Sequence, residues 1–415
     1  MKISVIGAGY VGLTTGACLA KMGHKVVIVD TNEERIEAIK QGKCPIHERG
    51  LEEILSTASI EVTNDLCHAI TNTNISFVCV GTDSSNYKDC SNLTNVKEVI
   101  TGIARILNNY HLIVIKSSVP PGTTENVIIP LLEEQGGEAG KDFGICVNPE
   151  FLREGMAISD FLNPDRIVIG EIDKNSGNIL VELFKNFNCP IIRVAPRTAE
   201  MIKYASNAFL GMKISFINEI GNICKLLGID TYEVAAGMGY DKRIGDKFLN
   251  AGIGFGGSCL PRNLVELILM SKKIGYIPRI LEEVINLNEK QPLLMLRLLK
   301  KHVPNINGKE IGILGLAFKA NTDDIRESRA LLIVDNLLRE GAKIKAYDPA
   351  AMDNFKKLFP NISYTSSKGV LKCEIILILT DWEEFDLLDY RGKIVIDGRR
   401  ILKAKEAHIY EGICW

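Results

Sequence analysis

The chain has 415 residues, of which 46% are hydrophobic and 24% are charged. This length predicts at least two hydrophobic cores and excludes a small disulfide-stapled scaffold, and the composition excludes disordered and fibrous proteins. Lys and Arg total 49 against 51 Asp and Glu, a net charge of -2, so no overall basic field is available to bind nucleic acid or an anionic membrane. Anionic ligands must therefore be bound at local sites.

The first half of the chain alternates β-branched runs with helical patterns, which predicts a parallel sheet covered by helices on both faces. The predicted strands are Ile3–Ile6, Lys25–Val29, Ile75–Val80, Leu112–Ile115, Phe143–Val147 and Arg166–Ile169. From Thr198 to about Leu227 the pattern changes to one long helix. That length suits a spine between domains or a dimer interface.

The second half continues with helical patterns around Leu264–Ile274 and Leu281–Leu299, and the strand-helix alternation then returns. The predicted strands here are Glu310–Leu314, Lys343–Tyr347, Ile375–Leu379 and Lys393–Ile396. The sequence therefore predicts an α/β protein in which two Rossmann-like doubly wound domains are joined by a long central helix and a helical middle domain. The predicted domains are 1–196, 197–302 and 303–415, with breaks near Pro196 and in the stretch from His302 to Gly308.

The eleven cysteines are an odd number and form no CxxC pair or Cys/His cluster, which indicates a reducing compartment and predicts no metal site. Cysteines in apolar runs, such as Cys79 and Cys146, are expected to pack as small buried hydrophobes. The chain opens directly on a strand-like run without the features of a secretion signal, and it has no uninterrupted apolar stretch of about twenty residues. We therefore expect a cytoplasmic protein with no membrane span.

A glycine-rich turn follows the first predicted strand: Gly7, Gly9 and Gly12 lie between that strand and a helix, and Asp30 ends the second strand. In a dinucleotide site, Gly7 permits the tight turn, Gly9 lets the backbone approach a pyrophosphate, and Gly12 lets the helix pack on the strand. Asp30 would accept hydrogen bonds from the adenosine ribose and repel the 2′-phosphate of NADP. The pattern predicts NAD, although it does not exclude FAD; the alternative is a glycine turn without a ligand.

A second glycine-rich loop, residues 250–258, leads into Cys259, and Pro261 marks the start of a helix. Such a loop can bind a phosphorylated ligand through backbone N–H groups, and a cysteine at a helix N-terminus has a stabilised thiolate. Cys259 is therefore a candidate nucleophile, whereas buried packing is the interpretation for the other cysteines.

Ten ordered motifs resemble those of the UDP-glucose 6-dehydrogenase group within the UDP-glucose/GDP-mannose dehydrogenase family, along essentially the whole chain. The matching segments are Gly7–Gly12, Val80–Thr82, Lys116–Ser118, Asn148–Glu154, Ala199–Lys203 with Asn207, Arg243–Gly245, Gly254–Cys259, Phe318–Lys319, Arg326–Ser328 and Asp397–Arg400. The resemblance implies oxidation of a sugar's primary alcohol to a carboxylate in two NAD-dependent steps. It also implies that Cys259 carries a thiohemiacetal and then a thioester.

The resemblance assigns the site residues as follows. The implied catalytic residues are Cys259, Lys203, Asn207, Glu150, Ser118 and Asn263. The implied NAD contacts are Gly7, Gly9, Tyr10, Val11, Gly12, Asp30, Arg35, Thr82, Ser118, Glu154, Arg262 and Arg326. The implied substrate contacts are Glu150, Phe151, Leu152, Arg153, Lys203, Asn207, Arg243, Asn250, Gly252, Gly254, Phe255, Gly256, Phe318, Lys319, and Arg399 or Arg400.

The roles implied for some of these residues are more specific. Lys203 and Asn207, one turn apart, would stabilise negative charge on the sugar oxygen. Glu150 would handle the proton during thioester hydrolysis, and Glu154, on the same face if the segment is helical, would lie by the nicotinamide. Arg243 resembles an arginine that reaches the sugar of a neighbouring subunit, which implies a homodimer.

Three positions depart from the family pattern. Asn263 stands where an aspartate is usual, and because an amide is not a base at neutral pH, a slower enzyme or one that relies on Lys203 is expected. Ser118 replaces a threonine but keeps the hydroxyl, and Asp83 stands where a proline is usual.

Two alternatives stay open at this point, and a third is disfavoured. A GDP-mannose 6-dehydrogenase shares many of these motifs and the ending Glu411–Trp415, whereas the Asp241–Leu249 and Asp397–Arg400 segments favour UDP-glucose. UDP-N-acetylmannosamine relatives have a histidine before the cysteine, and Ser258 argues against them. A nucleotide-sugar-binding homologue with weakened or lost catalysis is supported by Asn263 alone.

Overall fold

A computed structural model of the chain describes residues 1–82 and 92–415, so Asp83 and Cys90 lie outside the described residues. The chain divides into two compact units, Met1–Ala205 and Ser206–Trp415. None of the described helices is both long enough and apolar enough to cross a lipid bilayer.

The described part of the first unit forms an eight-stranded sheet. Its strands are Lys2–Ile6 (β1), Lys25–Val29 (β2), Ile60–Thr63 (β3), Ile75–Val78 (β4), Leu112–Ile115 (β5), Gly144–Val147 (β6), Ile167–Glu171 (β7) and Ile191–Val194 (β8). Their order is β3-β2-β1-β4-β5-β6-β7-β8. Neighbouring strands are parallel except β6 and β7, which pair in antiparallel register with Cys146 opposite Glu171.

The helices of the first unit alternate with these strands. They are Tyr10–Lys21 (α1), Glu33–Lys40 (α2), Leu51–Thr57 (α3), Leu66–Asn72 (α4), Thr94–Ile106 (α5), Ile129–Glu133 (α6, after a π-helical turn at Thr124–Ile128), Ala157–Leu162 (α7) and Lys174–Phe184 (α8). Three of these helices have an N-cap side chain that accepts the backbone N–H of the residue three positions later. The N-caps are Asn32 for α2, Asp65 for α4 and Asp173 for α8. Helix Pro196–Leu227 (α9) contains the boundary between the units.

Both faces of this sheet are buried, which explains the near-continuous apolar runs of its strands. On β5, Leu112 and Val114 belong to one core, whereas Ile113 and Ile115 belong to the core on the opposite face. The structure adds β3 and β8 at the two ends of the sheet, which were not predicted. Each of these strands has four residues and is only partly buried, and each includes a charged residue, Glu61 in β3 and Arg193 in β8. The continuous apolar run that marks a central strand is therefore missing from both sequences.

The second unit contains a six-stranded parallel sheet in the order β11-β10-β9-β12-β13-β14. Its strands are Glu310–Leu314 (β9), Lys343–Tyr347 (β10), Ser363–Tyr364 (β11), Ile375–Ile378 (β12), Ile394–Asp397 (β13) and Ile409–Gly412 (β14). This is the doubly wound order of a Rossmann-type sheet, and the predicted α/β class with two such sheets is confirmed. The short edge strands β11 and β14 were not predicted.

The helices of the second unit precede and flank this sheet. They are Thr231–Gly239 (α10), Leu260–Lys273 (α11), Arg279–Lys290 (α12), Leu293–His302 (α13), Arg329–Arg339 (α14), Met352–Leu358 (α15) and Ser367–Val370 (α16), with 3₁₀ helices at Glu383–Leu387 and Leu402–Glu406. The helical pattern around Leu281–Leu299 corresponds to two helices, because α12 ends at Lys290 and α13 begins after Pro292. Proline has no N–H to donate and its ring clashes with the preceding turn.

The cysteines follow the burial prediction in part. Cys79 and Cys146 are buried in the first unit as predicted. Buried packing is wrong for Cys67, which is exposed on α4, and Cys44 and Cys189 are only partly buried. Cys67 lies on the solvent side of α4, where Ala69 and Ile70 provide the buried face.

Candidate active site

The turn after β1 has the geometry that a dinucleotide site needs. Gly7 has a φ of 98°, and a Cβ at Gly12 would lie 1.8 Å from the Gly7 carbonyl oxygen, so both positions require glycine. A Cβ at Gly9 would meet no atom of the described residues within 4 Å. The backbone before α1 therefore leaves room for a pyrophosphate, and the residues present fit NAD.

Asp30 lies at the end of β2 and contacts this turn directly. Its Oδ2 accepts the Ala8 N–H at 2.6 Å and the Arg35 Nη1 at 3.0 Å, and its Oδ1 accepts the Asn32 N–H at 2.8 Å. The Asp30 carboxylate thus fixes the glycine turn. The position of Asp30 after the three glycines predicted only a contact with the adenosine ribose. Arg35, at the start of α2, is held beside it as an ion pair.

Other predicted NAD contacts of the first unit lie near the ends of strands. The Thr82 hydroxyl donates to the Ser118 carbonyl at 3.1 Å, which brings the segments after β4 and β5 together.

The Tyr10 hydroxyl at the start of α1 bonds to Glu48 and accepts the Gly155 N–H. Val11 lies in α1, and Glu154 lies in the turn before Gly155. Glu48 was not predicted, because a single glutamate between helices carries no sequence signal.

Glu150 and Lys203 form a buried ion pair in the first unit. The Lys203 Nζ donates to the Glu150 Oε1 at 2.6 Å, and the Leu152 N–H donates to the Glu150 Oε2 at 2.7 Å. Burial raises the pKa of the Glu150 carboxyl, but the charge and hydrogen bond of Lys203, the Leu152 N–H and the charge of Lys116 together hold that pKa below its usual value. Glu150 is therefore an ionised acceptor at neutral pH.

Lys116 and Asn148 extend this cluster and were not among the predicted site residues. The Lys116 Nζ donates to the Asn148 Oδ1 at 3.0 Å, and the Asn148 Nδ2 donates to the Val168 carbonyl at 2.9 Å. Burial lowers the pKa of Lys116 to about 8, opposed by Glu150 and reinforced by Lys203. A lysine with this pKa can exchange a proton near neutrality. The only indication of Lys116 in the sequence was its place in the Lys116–Ser118 motif.

The segment from Asn148 to Glu154 is not helical, because α7 begins only at Ala157. The condition under which Glu150 and Glu154 would share a helix face is therefore not met. Pro149 and the bond from the Leu152 N–H to the Glu150 side chain both compete with helix formation.

The predicted substrate residues next to Glu150 point in different directions. The Phe151 ring lies 3.9 Å from the Arg166 guanidinium carbon and 5.5 Å from the Lys203 Nζ, so two cations face it. The Arg153 side chain turns away and binds the Asp160 carboxylate through Nε and Nη2.

Cys259 occupies the predicted position in the second unit, immediately before α11, with Pro261 in the first turn. The Asn263 N–H donates to the Cys259 carbonyl at 3.0 Å, which closes the first turn. The Asn207 Nδ2 on α9 donates to the Asn263 Oδ1 at 2.6 Å, and both asparagines are buried. The structure thus joins two of the predicted catalytic side chains directly.

The glycine-rich loop before Cys259 is held by buried polar side chains. Asn288 on α12 accepts the Phe255 N–H at 2.7 Å and donates to the Phe255 carbonyl at 3.0 Å. Gly254 has a φ of 98°, and a Cβ there would lie 2.5 Å from the Asn288 Oδ1. Gly252 is held by Asn218, whose Oδ1 accepts the Gly252 N–H at 2.8 Å. Asn218 and Asn288 were missed, because isolated asparagines in helical patterns normally indicate a polar surface.

Replacing Asn288 by alanine is expected to destabilise the second unit by about 2–4 kcal/mol, because both Phe255 backbone groups would be left buried without partners. Amide hydrogen exchange at Phe255 should accelerate along with a fall in the unfolding midpoint. The control is Asn286→Ala on the same helix, whose exposed side chain contacts Glu283 at 3.3 Å. Equal exchange rates at Phe255 in the two variants would contradict this account of the loop.

The other predicted substrate residues of the second unit lie mostly around this loop. The Arg399 side chain donates to the Leu379 and Phe318 carbonyls. Arg400 instead forms a two-bond ion pair with Asp230 and lies over the Tyr232 ring. A Cβ at Gly256 would lie 3.0 Å from the Phe318 Cβ.

Five predicted residues of the second unit have other surroundings. The Lys319 Nζ lies 5.8 Å from the Phe318 ring centre. Arg243 is exposed and pairs with Asp241, and Arg326 pairs with Asp324. The Arg262 Nε lies 3.8 Å from the Glu266 carboxylate, and Asn250 is exposed.

Three family models match consecutive parts of the chain. They describe the UDP-glucose/GDP-mannose dehydrogenase family: its NAD-binding domain matches residues 1–188, its central domain 197–290 and its UDP-binding domain 312–404. The chain is also similar to UDP-glucose 6-dehydrogenase AglM of Haloferax volcanii, with 41% identity over 432 aligned residues and 100% of each chain covered.

Two solved structures resemble the chain to different degrees. A UDP-glucose dehydrogenase from the hyperthermophilic archaeon Pyrobaculum islandicum has 40% identity and a TM-score of 0.96, with 100% of this chain and 97% of that chain covered. A GDP-mannose dehydrogenase from Pseudomonas aeruginosa has 34% identity and a TM-score of 0.58, with 100% of each chain covered. With an NAD-binding turn, a glycine-rich loop before Cys259 and family matches along most of its length, the chain belongs to the UDP-glucose/GDP-mannose dehydrogenase family.

Proposed function

We propose that the chain is an NAD-dependent UDP-glucose 6-dehydrogenase, which converts UDP-glucose, two NAD and one water into UDP-glucuronate, two NADH and protons. The observation that carries this proposal is the position of Cys259 at the start of α11, directly after the glycine-rich loop. The roughly 40% identity to UDP-glucose 6-dehydrogenases along the whole chain supports UDP-glucose as the sugar nucleotide.

In the first oxidation, the primary alcohol of the sugar loses a hydride and a proton. NAD, when bound at the first glycine turn, accepts the hydride in each oxidation. Negative charge grows on the sugar oxygen and needs hydrogen-bond donors. Lys203 and Asn207 are one turn apart on α9 and carry such donors, and we assign that role to them.

In the second oxidation, the Cys259 thiolate attacks the aldehyde carbon, and protonation of the oxygen gives a thiohemiacetal. Loss of the second hydride from carbon, together with release of the hydroxyl proton to solvent, gives a thioester. Water then attacks the carbonyl carbon, the carbon-sulfur bond breaks and the thiolate is regenerated. Glu150, which is ionised at neutral pH, accepts the proton of the attacking water, and Ser118 orients that water.

The test of this proposal is NADH formation with UDP-glucose, GDP-mannose and UDP-N-acetylmannosamine, with NADH counted per sugar. Two NADH per UDP-glucose, and slower turnover of the other two sugars, are expected. Faster turnover of GDP-mannose would support the alternative that the ending Glu411–Trp415 suggests. A chain that binds UDP-glucose but forms no NADH with any of the sugars would be a nucleotide-sugar-binding homologue.

Cofactor choice gives a prediction for Asp30. The native protein should prefer NAD to NADP by at least about a hundredfold in kcat/KM, because the 2′-phosphate would face this carboxylate. Asp30→Asn should lower that ratio at least about tenfold, since the repulsive charge is removed and Arg35 loses its ion-pair partner. The control is Asp65→Asn, which changes the N-cap of α4. An unchanged ratio in Asp30→Asn would remove Asp30 from cofactor selection.

We further propose a homodimer with α9 in its interface. Three large apolar side chains recur every seven residues on this helix and are exposed: Phe209 at 56%, Phe216 at 46% and Ile223 at 51%. An exposed apolar stripe with this period is typical of helix pairing between two copies of a chain. Arg243, exposed in the second unit, is available to reach a neighbouring subunit.

The mass in solution tests this proposal. Light scattering should give the mass of two chains for the native protein and of one chain for Phe216→Glu combined with Ile223→Glu. The control is Leu387→Glu, which changes an equally apolar side chain that is 83% exposed elsewhere in the second unit. A native protein with the mass of one chain would contradict the dimer.

The three-domain division at 1–196, 197–302 and 303–415 remains our proposal, as do the NAD and substrate contacts assigned above. The described contacts that support these assignments are those around Asp30, the Glu150–Lys203 pair and the Phe255 loop.

A further inference from the structure

A chain of three buried polar side chains runs from α9 into α11 in the second unit. The Asn207 Nδ2 donates to the Asn263 Oδ1 at 2.6 Å, and the Asn263 Nδ2 donates to the Glu266 Oε2 at 3.5 Å. Their exposed fractions are 6%, 0% and 7%. Asn263 and Glu266 are three residues apart on α11, so their side chains share a helix face.

The two asparagines do not by themselves fix the direction of this hydrogen-bond chain. Each amide has an oxygen that accepts and a nitrogen that donates, so either amide can turn over and reverse the chain. A carboxylate only accepts. With Glu266 at one end, Asn263 must present its Nδ2 to Glu266 and therefore its Oδ1 to Asn207.

The same logic extends to Asn207. Because the Asn263 Oδ1 faces it, Asn207 directs its Nδ2 towards Asn263. A reversed Asn263 would turn Asn207 over, and the N–H donors of Asn207 would be replaced by a carbonyl oxygen. A carbonyl oxygen repels negative charge on a substrate oxygen, whereas an N–H donor stabilises it.

We propose that Glu266 is a positioning residue, which fixes the Asn207–Asn263 amide chain in the direction that keeps Asn207 a donor to the sugar oxygen. The catalytic part of this inference rests on the proposed function. Glu266 acts through Asn263 and Asn207 and itself takes no proton from the substrate. The Arg262 Nε, 3.8 Å from the other carboxylate oxygen, favours the acceptor form of Glu266.

A cycle of Glu266→Gln, Asn263→Asp and the double variant tests the proposal. Glutamine keeps the size of Glu266 but can present either an acceptor or a donor, so the direction of the chain is no longer fixed. Glu266→Gln should lower kcat with UDP-glucose by about 10- to 100-fold and change KM by less than about threefold. The Asn263→Asp change supplies an acceptor that cannot turn over into a donor. In that background, Glu266→Gln should therefore leave kcat within about threefold.

Thermal unfolding gives a readout that does not depend on catalysis. Glu266→Gln should lower the unfolding midpoint by about 2–5 °C in the native background. In the Asn263→Asp background it should raise the midpoint, because two carboxylates within hydrogen-bond distance repel each other and the substitution removes one of them. The control is Glu282→Gln, which removes an ion pair of Lys272 on the same helix α11.

Equal losses of kcat or of midpoint in the native and Asn263→Asp backgrounds would overturn the proposal, as would an unchanged kcat in Glu266→Gln. A native protein that forms no NADH with any sugar overturns the proposed function instead. In that case the sign of the midpoint changes still decides whether Glu266 sets the direction of the amide chain.

Discussion

Replacing Cys259 by serine is expected to lower NADH formation from UDP-glucose by at least about a thousandfold, a change of about 4 kcal/mol in the barrier. The second oxidation needs a thiolate to bind the aldehyde, and a serine hydroxyl is a poorer nucleophile because it is not ionised near neutral pH. The first oxidation does not need this thiolate, so a single-turnover experiment should give no more than about one NADH per site in this variant.

The matched control is Cys189→Ser, since Cys189 is also partly exposed but lies in the first unit. It should keep native turnover. UDP-glucose binding, measured by calorimetry, should be retained in Cys259→Ser, which separates lost chemistry from lost binding. Two NADH per sugar at a near-native rate in Cys259→Ser would show that the second oxidation proceeds without a covalent intermediate at this residue.

Replacing Lys203 by methionine is expected to destabilise the first unit by about 3 kcal/mol, because Glu150 would keep a buried charge without its ion-pair partner. Lys116 and the Leu152 N–H remain near the carboxylate, so the loss of unfolding free energy should lie at the lower end of the range for broken buried ion pairs. Turnover should fall at least about a hundredfold, because the donor to the sugar oxygen is also lost. Chemical denaturation and steady-state kinetics measure the two effects separately.

The pH dependence of this pair has a definite sign. The pKa of Glu150 is lowered in the folded protein, so its contribution to stability is present at neutral pH and is lost as the pH falls below about 4.5. Without Lys203 the pKa of Glu150 rises, and the acid loss of stability should begin at a higher pH. Adding Glu150→Gln to Lys203→Met should restore most of the stability but not the turnover.

The control for this experiment is Lys213→Met on the same helix, whose Nζ donates only to a backbone carbonyl, that of Ile244, among its described contacts. It should change turnover and the unfolding free energy little. A Lys203→Met variant as stable as this control would contradict the described ion pair.

Local motifs are the part of this protein that could be predicted from the sequence. Gly7, Gly12 and Asp30 lie within thirty residues of one another, and the conformation that they require is set by steric limits on the backbone between them. Cys259 and Pro261 likewise mark the start of a helix by local rules. The buried strands were predicted because both of their faces are apolar, whereas β3 and β8 at the sheet edges were not.

Contacts between distant parts of the chain could not be predicted in the same way. Glu150 and Lys203 are 53 residues apart, and only the folded first unit shows that they pair and that Lys116 lies in the same buried cluster. The family resemblance named several arginines as ligand contacts, but the structure pairs Arg153 with Asp160 and Arg400 with Asp230. Charge alone does not specify which partner a long side chain reaches.

By itself, then, the sequence determined two doubly wound sheets, a long central helix, a dinucleotide turn and a cysteine at a helix start, because each of these depends on periodicity or on residues close together in the chain. The tertiary structure decided the roles of Lys116, Asn288 and Glu266. Each is a polar residue within or just after a strand or helix pattern, and its importance comes from its burial in the folded unit. In that environment an unpaired charge or amide is costly, so its hydrogen-bond partner sets what it can do.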